Sequence, residues 1–193
     1  SSACEMVAEV LQYIGDDGIK IKPAEADAMY AGIVIDTNNF MNQAGVRTFE
    51  AAAFLRRNGA DVVRVRKLFR DRLEDYRARA EAIQKAEIYH GAFAISVCPS
   101  EGLESPTVVG AQAANELLDI VGIKASFILT QMGDTIYFSA RSIDEINVQI
   151  IMERLGGGGH RTIAGAQLKG ATIDEAREKL KDLITDMMEK GEI

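Results

Sequence analysis

Four consecutive glycines run directly into an imidazole at Gly156, Gly157, Gly158, Gly159 and His160. A glycine has no Cβ, so such a run can adopt positive φ and let a bulky anion approach its peptide N–H groups. The histidine beside it can donate a charge-assisted hydrogen bond to a phosphate oxygen. An anonymous glycine run is otherwise a flexible connector. Here Val148, Ile151, Met152 and Leu155 precede it at helical spacing, and Ile163 to Leu168 follows like a short buried strand. A loose linker seldom separates two patterned elements so closely, and the run is read as an anion-binding bend.

Three other positions carry chemistry. Arg141 stands in Ser139-Ala140-Arg141-Ser142, where a guanidinium flanked by hydroxyls makes a phosphate grip, a solvated strand end being the alternative. Asn147 and Gln149 open the next helix, either as plain caps or as contributors to an anion site. Asp36 ends an apolar helix and precedes Thr37. A carboxylate placed so is a hard oxygen ligand for Mn²⁺ or Mg²⁺, or simply a turn former, and one carboxylate cannot hold a catalytic metal alone. Arg47, just before a helix start, reads first as a surface residue. The stretch from Arg56 to Arg79 holds nine Lys and Arg against four acids. The interleaved acids and the scarcity of aromatics make it a solvated helix face rather than a nucleic-acid footprint. His90 sits alone in an apolar context, and no Ser-His-Asp or Cys-His set can be assembled from two histidines.

The elements that must position these residues fall into two regions. To about residue 75 the periodicity predicts only helices: 3–14, one opening at Pro23, one from Thr48 to about Asn58, and one around Val62 to Phe69. A charged helix over 76–86 serves as the linker. From residue 87 strands and helices alternate around a sheet, giving an α/β fold. Strands are expected at 92–97, 126–131 and 135–140, the last two forming a hairpin about Met132-Gly133-Asp134. A helix is expected over 108–120, and Thr172 with Glu175 forms a capping box for a C-terminal helix.

The totals bound the rest. The chain has 193 residues, of which 47% are apolar and 26% charged, enough for one domain or two small ones. A net charge of −7 argues against a general nucleic-acid coat protein while leaving room for a local anion site. Two cysteines, Cys4 and Cys98, make neither a metal-type pair nor a disulfide framework, which favours a reducing cytoplasm. No apolar stretch approaches the ~18 residues of a membrane span. The chain opens on Ser1 without an initiator Met, and reads as a piece of something longer.

Taken in order, Gly32-Ile33-Val34-Ile35-Asp36-Thr37, Gly45-Val46-Arg47-Thr48-Phe49, Ser139-Ala140-Arg141-Ser142, Asn147-Val148-Gln149 and the polyglycine-His160 element with Ala164-Gly165 resemble the DHH phosphoesterases with their DHH-associated C-terminal domain. The Asn-Val-Gln helix before the bend is similar to the cyclic-di-AMP phosphodiesterase branch. The resemblance spans essentially the whole chain. It implies a helical remnant of the DHH domain over 1–75, the linker over 76–86, and a DHH-associated substrate-binding domain with a mixed sheet over 87–193. It further implies a two-Mn²⁺ centre that opens cyclic-di-AMP to pApA, or degrades short oligonucleotides to mononucleotides. Asp36 then matches a metal-binding aspartate. Arg141, Ser142, Asn147, Gly157, Gly158, Gly159 and His160 match the region that grips phosphate and nucleoside.

One departure is large. The family's remaining metal ligands come from an aspartate-rich motif, a further aspartate and the Asp-His-His signature, and no two histidines are adjacent in this sequence. The expectation is therefore that this chain alone holds no catalytic metal pair and turns over no diester. The expected partner is a dinucleotide or short oligonucleotide, without a stable nucleic-acid complex, and the exposed helix faces leave room for a homodimer. Relatives in the branch carry N-terminal transmembrane and sensory domains, so the chain is expected to be the cytoplasmic part of a membrane-anchored parent. The alternatives are a non-catalytic nucleotide- or RNA-binding module and an exopolyphosphatase-type phosphoesterase.

Overall fold

A computed structural model describes residues 2–14, 20–41, 43–143 and 145–193. The chain divides into two compact units, one through Arg70 and one from Asp71.

The first unit is helical: α1 (Ala3–Ile14), α2 (Pro23–Asp36), α3 (Val46–Arg57) and α4 (Val62–Leu68). Its core is small, built on Ala8, Ala26, Ile33, Ala51, Leu55 and Ala60. Small residues let the helices approach closely; a Cβ on Gly32 would lie 2.4 Å from Cys4 Sγ. The apolar stripe of α1 faces outward, with Met6 and Val10 each 55% exposed, while Glu5 is buried and accepts a 2.9 Å hydrogen bond from Thr48 Oγ1. The helix expected to begin at Thr48 begins two residues earlier, at Val46. Gly45 is the N-cap of α3, and Thr48 sits one turn in, accepting from the Gly45 N–H at 3.1 Å.

The second unit contains α5 (Leu73–Gln84), β1 (Glu87–Tyr89), β2 (Phe93–Cys98), α6 (Pro106–Leu117), β3 (Ala125–Met132), β4 (Thr135–Ser142), α7 (Val148–Arg154), β5 (Gly158–Gly159), β6 (Ile163–Lys169) and α8 (Ile173–Glu189). The strands form one mixed sheet in the order β1-β2-β3-β4-β6-β5, with β2 and β3 parallel and the other neighbours antiparallel. Gly133 takes the positive φ of +60° that the β3–β4 turn requires. The capping box of α8 is present: Glu175 N–H donates to Thr172 Oγ1 and Thr172 N–H to Glu175 Oε2.

Strand alternation gives the sheet two faces. One carries Phe127, Leu129, Ile136, Phe138 and Ala140 and is sealed by α7 and α8. The other carries Ala94, Cys98 and Ile128 and is covered by α5 and α6 over β2 and β3, with α6 reaching part of β4. The charged segment expected to link two domains is thus, as α5, part of the second unit. Its Ala78 and Ala82 pack in the β2–α6 core, and its buried Arg79 bonds Asp71 (2.7 Å), Glu116 (2.6 Å) and Gln112 (3.0 Å).

Candidate functional site

β4 turns Tyr137, Ser139 and Arg141, all half-buried, to the face that α6 covers only in part, and turns Ile136, Phe138, Ala140 and Ser142 inward. Arg141 is half-buried there. Its Nη1 donates to the Ala140 carbonyl at 2.9 Å, and its Nε is buried without any partner. Among the described residues no carboxylate lies within ion-pair distance of it. Burial alone pushes the Arg141 pKa below its ordinary value. A guanidinium stays charged at neutral pH, so burying one without a counter-charge among the described residues is electrostatically unfavourable.

Ser142 is not brought to the same place. Its side chain points to the opposite face, where it is buried and donates to the Ile146 carbonyl at 2.6 Å. The alternation of the strand separates it from Arg141 and leaves Ser139, two residues away, as the hydroxyl on the guanidinium's side.

The glycine run is partly a strand. His160 and Ile163 exchange both backbone bonds (2.7 and 3.2 Å) around a two-residue turn, so β5 lies antiparallel along β6 at the sheet edge. Close approach to β6 demands two of the glycines. A Cβ on Gly157 would sit 2.1 Å from the Gly165 carbonyl oxygen, and one on Gly159 2.5 Å from Ala164 Cα. Gly158 faces open space. The N–H groups of Gly156, Gly157 and His160 are engaged by the Glu153, Met152 and Ile163 carbonyls. Because His160 and Ile163 form a hydrogen-bonded pair, the adjoining Gly159–Ala164 pair is of the other kind, which turns the Gly159 N–H to the open edge. The His160 imidazole is exposed and makes no hydrogen bond to the described residues.

The hairpin turn is tied to its surroundings by two backbone bonds, Ser142 N–H to the Thr162 carbonyl (3.0 Å) and Val148 N–H to the Arg161 carbonyl (2.9 Å). These gather the end of β4 with Arg141, the turn with His160, and the start of α7 with Asn147. The Asn147 side chain caps α7 by accepting from Gln149 N–H at 3.1 Å.

Asp36 is exposed at the end of α2 in the first unit, while neighbouring Thr37 is buried and folds back to the Ile33 carbonyl (2.6 Å). Arg47 is an exposed residue held by Glu9. Among the described residues no three His, Cys, Asp or Glu side chains converge so as to hold a metal ion. A single carboxylate does not fit a metal site by itself. Sequence reasoning missed Tyr137 and Gln167, which the register sets side by side on the open face. The signal was available in the period-two spacing Tyr137, Ser139, Arg141.

Residues 92–186 match the DHHA1 domain family. The chain belongs to the DHH/DHHA1 family. It is 44% identical over 99% of its length to the cyclic-di-AMP phosphodiesterase GdpP of Geobacillus thermodenitrificans and 42% identical over its whole length to the cyclic-di-AMP phosphodiesterase PdeA of Listeria monocytogenes. In each case it spans 29% of the relative's length. Among solved structures it resembles an exopolyphosphatase-related protein from Bacteroides fragilis, with a TM-score of 0.81 at 20% identity over 95% of this chain and 56% of that one. The latter likeness bears on fold alone. No described helix of this DHH/DHHA1 chain is long and apolar enough to cross a membrane.

Proposed function

We propose that this chain is the nucleotide-gripping part of a manganese-dependent phosphodiesterase that opens cyclic-di-AMP to pApA or trims short oligonucleotides to mononucleotides. One observation carries the reading: the half-buried Arg141 guanidinium has a buried, unpartnered Nε and no carboxylate of the described residues beside it. A phosphate of the substrate supplies the missing charge. The His160 imidazole, which the β5–β6 hairpin sets on the same row as Ile163 and Arg141, completes the grip, with Gly157, Gly158 and Gly159 keeping the hairpin bare of side chains and Asn147 holding the adjoining helix start. The 44% identity to a cyclic-di-AMP phosphodiesterase supports the substrate class.

The hydrolytic metals lie outside what this chain builds. Asp36 contributes at most one ligand to a pair whose other ligands come from the rest of the protein, and the chain alone is expected to be inert toward diesters. By the same resemblance it forms the cytoplasmic part of a membrane-anchored parent. The test is calorimetric titration of pApA into the chain in chelator-treated buffer. Saturable, metal-independent binding is expected, weakened about tenfold or more in Arg141→Ala and in His160→Ala. Undiminished binding in both variants, or none in the wild type, overturns the reading.

A further inference from the structure

The part of this face that α6 leaves open, along β4 and β6, forms a trough with chemically different ends. Register aligns three rows of side chains across β3, β4 and β6: Ser126, Arg141 and Ile163; then Ile128, Ser139 and Gly165; then Thr130, Tyr137 and Gln167. Two rows of separation put the Tyr137 end about 14 Å from the Arg141 end. Between them the floor is backbone at Gly165, where a Cβ would lie 2.8 Å from the Phe138 carbonyl oxygen. At the far end a pocket of about 300 Å³ opens beside Tyr137, Gln167, Gly165 and the Gly156-Gly157 bend.

The polar groups at that end are uncommitted. Neither the Tyr137 hydroxyl nor the Gln167 amide makes a hydrogen bond to the described residues. A half-buried ring on an open strand face is a stacking platform for a flat heterocycle. A side-chain amide beside it presents a donor and an acceptor side by side, the pattern that matches the adenine N6 amino group and its neighbouring ring nitrogen.

The geometry points to a base-reading subsite: Tyr137 stacks on an adenine whose edge Gln167 reads, while Arg141 holds a phosphate of the same ligand at the other end of the trough. This rests on the nucleotide-binding reading above and assigns the specificity within it. Tyr137 and Gln167 are specificity-determining residues here and take no part in bond breaking.

The test titrates pApA, pGpG and ribose 5-phosphate into the full chain, as wild type, Tyr137→Leu, Tyr137→Phe and Gln167→Leu. Wild type is expected to favour pApA over pGpG by about tenfold. Tyr137→Leu should weaken both dinucleotides about tenfold, and Tyr137→Phe should restore them. Gln167→Leu should erase the preference between the two. None of the three should change ribose 5-phosphate binding. Wild-type affinities and preference in Tyr137→Leu and Gln167→Leu, with binding still dependent on Arg141, would overturn the subsite alone. A parallel loss of ribose 5-phosphate binding would also overturn it, by marking a disturbance of the phosphate grip. Failure of all three ligands with the wild type would overturn both readings.

Discussion

On one face of the central sheet, the buried serines of β2 and β3 and the polar side chains of β4 and β6 are treated in opposite ways. Over β2 and β3, where α5 and α6 cover it, each buried serine is matched to a helix carbonyl: Ser96 Oγ donates to Ala82 at 2.5 Å and Ser126 Oγ to Ala114 at 2.6 Å. Over β4 and β6, which α6 covers only in part, Ser139, Tyr137 and Gln167 bond to none of the described residues and Arg141 keeps a buried Nε unpaired. The two arginines make the same contrast. Arg79 is buried among Asp71, Glu116 and Gln112, whereas among the described residues Arg141 bonds a single backbone carbonyl. Satisfied polar groups hold a fold together; unsatisfied ones on an open face hold something else.

The sharpest way to break this comparison is to exchange the roles of the arginines by mutation. Arg141→Ala should reduce pApA affinity by the largest factor, on the order of a hundredfold, while leaving the melting temperature unchanged or raised, because it removes a desolvated, unpaired group. Arg79→Ala should do the reverse, costing roughly 1–3 kcal/mol in denaturant unfolding because two half-exposed carboxylates and a glutamine lose their partner. If Arg141→Ala unfolds the protein and Arg79→Ala does not, the division into structural and binding halves is wrong.

Next in size is the helix that covers the structural half. A Cβ on Gly110 would stand 2.6 Å from Thr130 Oγ1 and 3.3 Å from Ile128 Cγ2, so α6 must lift from the sheet in Gly110→Ala. A loss of about 2 kcal/mol is expected by chemical denaturation. Smaller again is the serine pair: Ser96→Ala should cost about 1 kcal/mol by stranding the Ala82 carbonyl, and Ser139→Ala should be neutral within about 0.5 kcal/mol. Equal effects would erase the difference between the halves.

The last prediction concerns pH. Burial pushes the Cys98 thiol from 9.0 up to about 11. A raised pKa means the folded state holds its proton more tightly, so the contribution is complete below pH 9 and is lost as pH rises toward 11. Wild type should lose about 1 kcal/mol more than Cys98→Ala between pH 8 and 10, read as a steeper fall in melting temperature. Parallel curves would mean the thiol is not as desolvated as its position under α6 implies.

Much of this was legible from residue spacing. The β3–β4 hairpin followed from Gly133-Asp134 between two alternating runs, and α8 from Thr172 and Glu175, because turns and caps are local chemistry. Arg141 and His160 could be named from sequence as candidate anion-binding groups because their chemistry is carried by residue type. What spacing could not give was contact across strands. It could not tell that Gly157 and Gly159 are needed to clear the backbone of β6, nor that Ser142 lies behind the sheet that Arg141 faces out from. β1, only three residues long, exists solely through its pairing with β2, and its sequence carries no alternation to announce it. The charge of α5 read as solvent-facing linker because its inward residues are alanines, which signal burial weakly, and because its one buried arginine is recognisable only with its partners in place.

That last feature sets where this half of the molecule can be cut. The family match begins at residue 92, yet a piece severed there would discard α5 and β1, strip Ala78 and Ala82 from the α6 side of the sheet, and leave Ser96 without its acceptor. An autonomous version should instead start at Asp71, whose carboxylate is already bonded to Arg79.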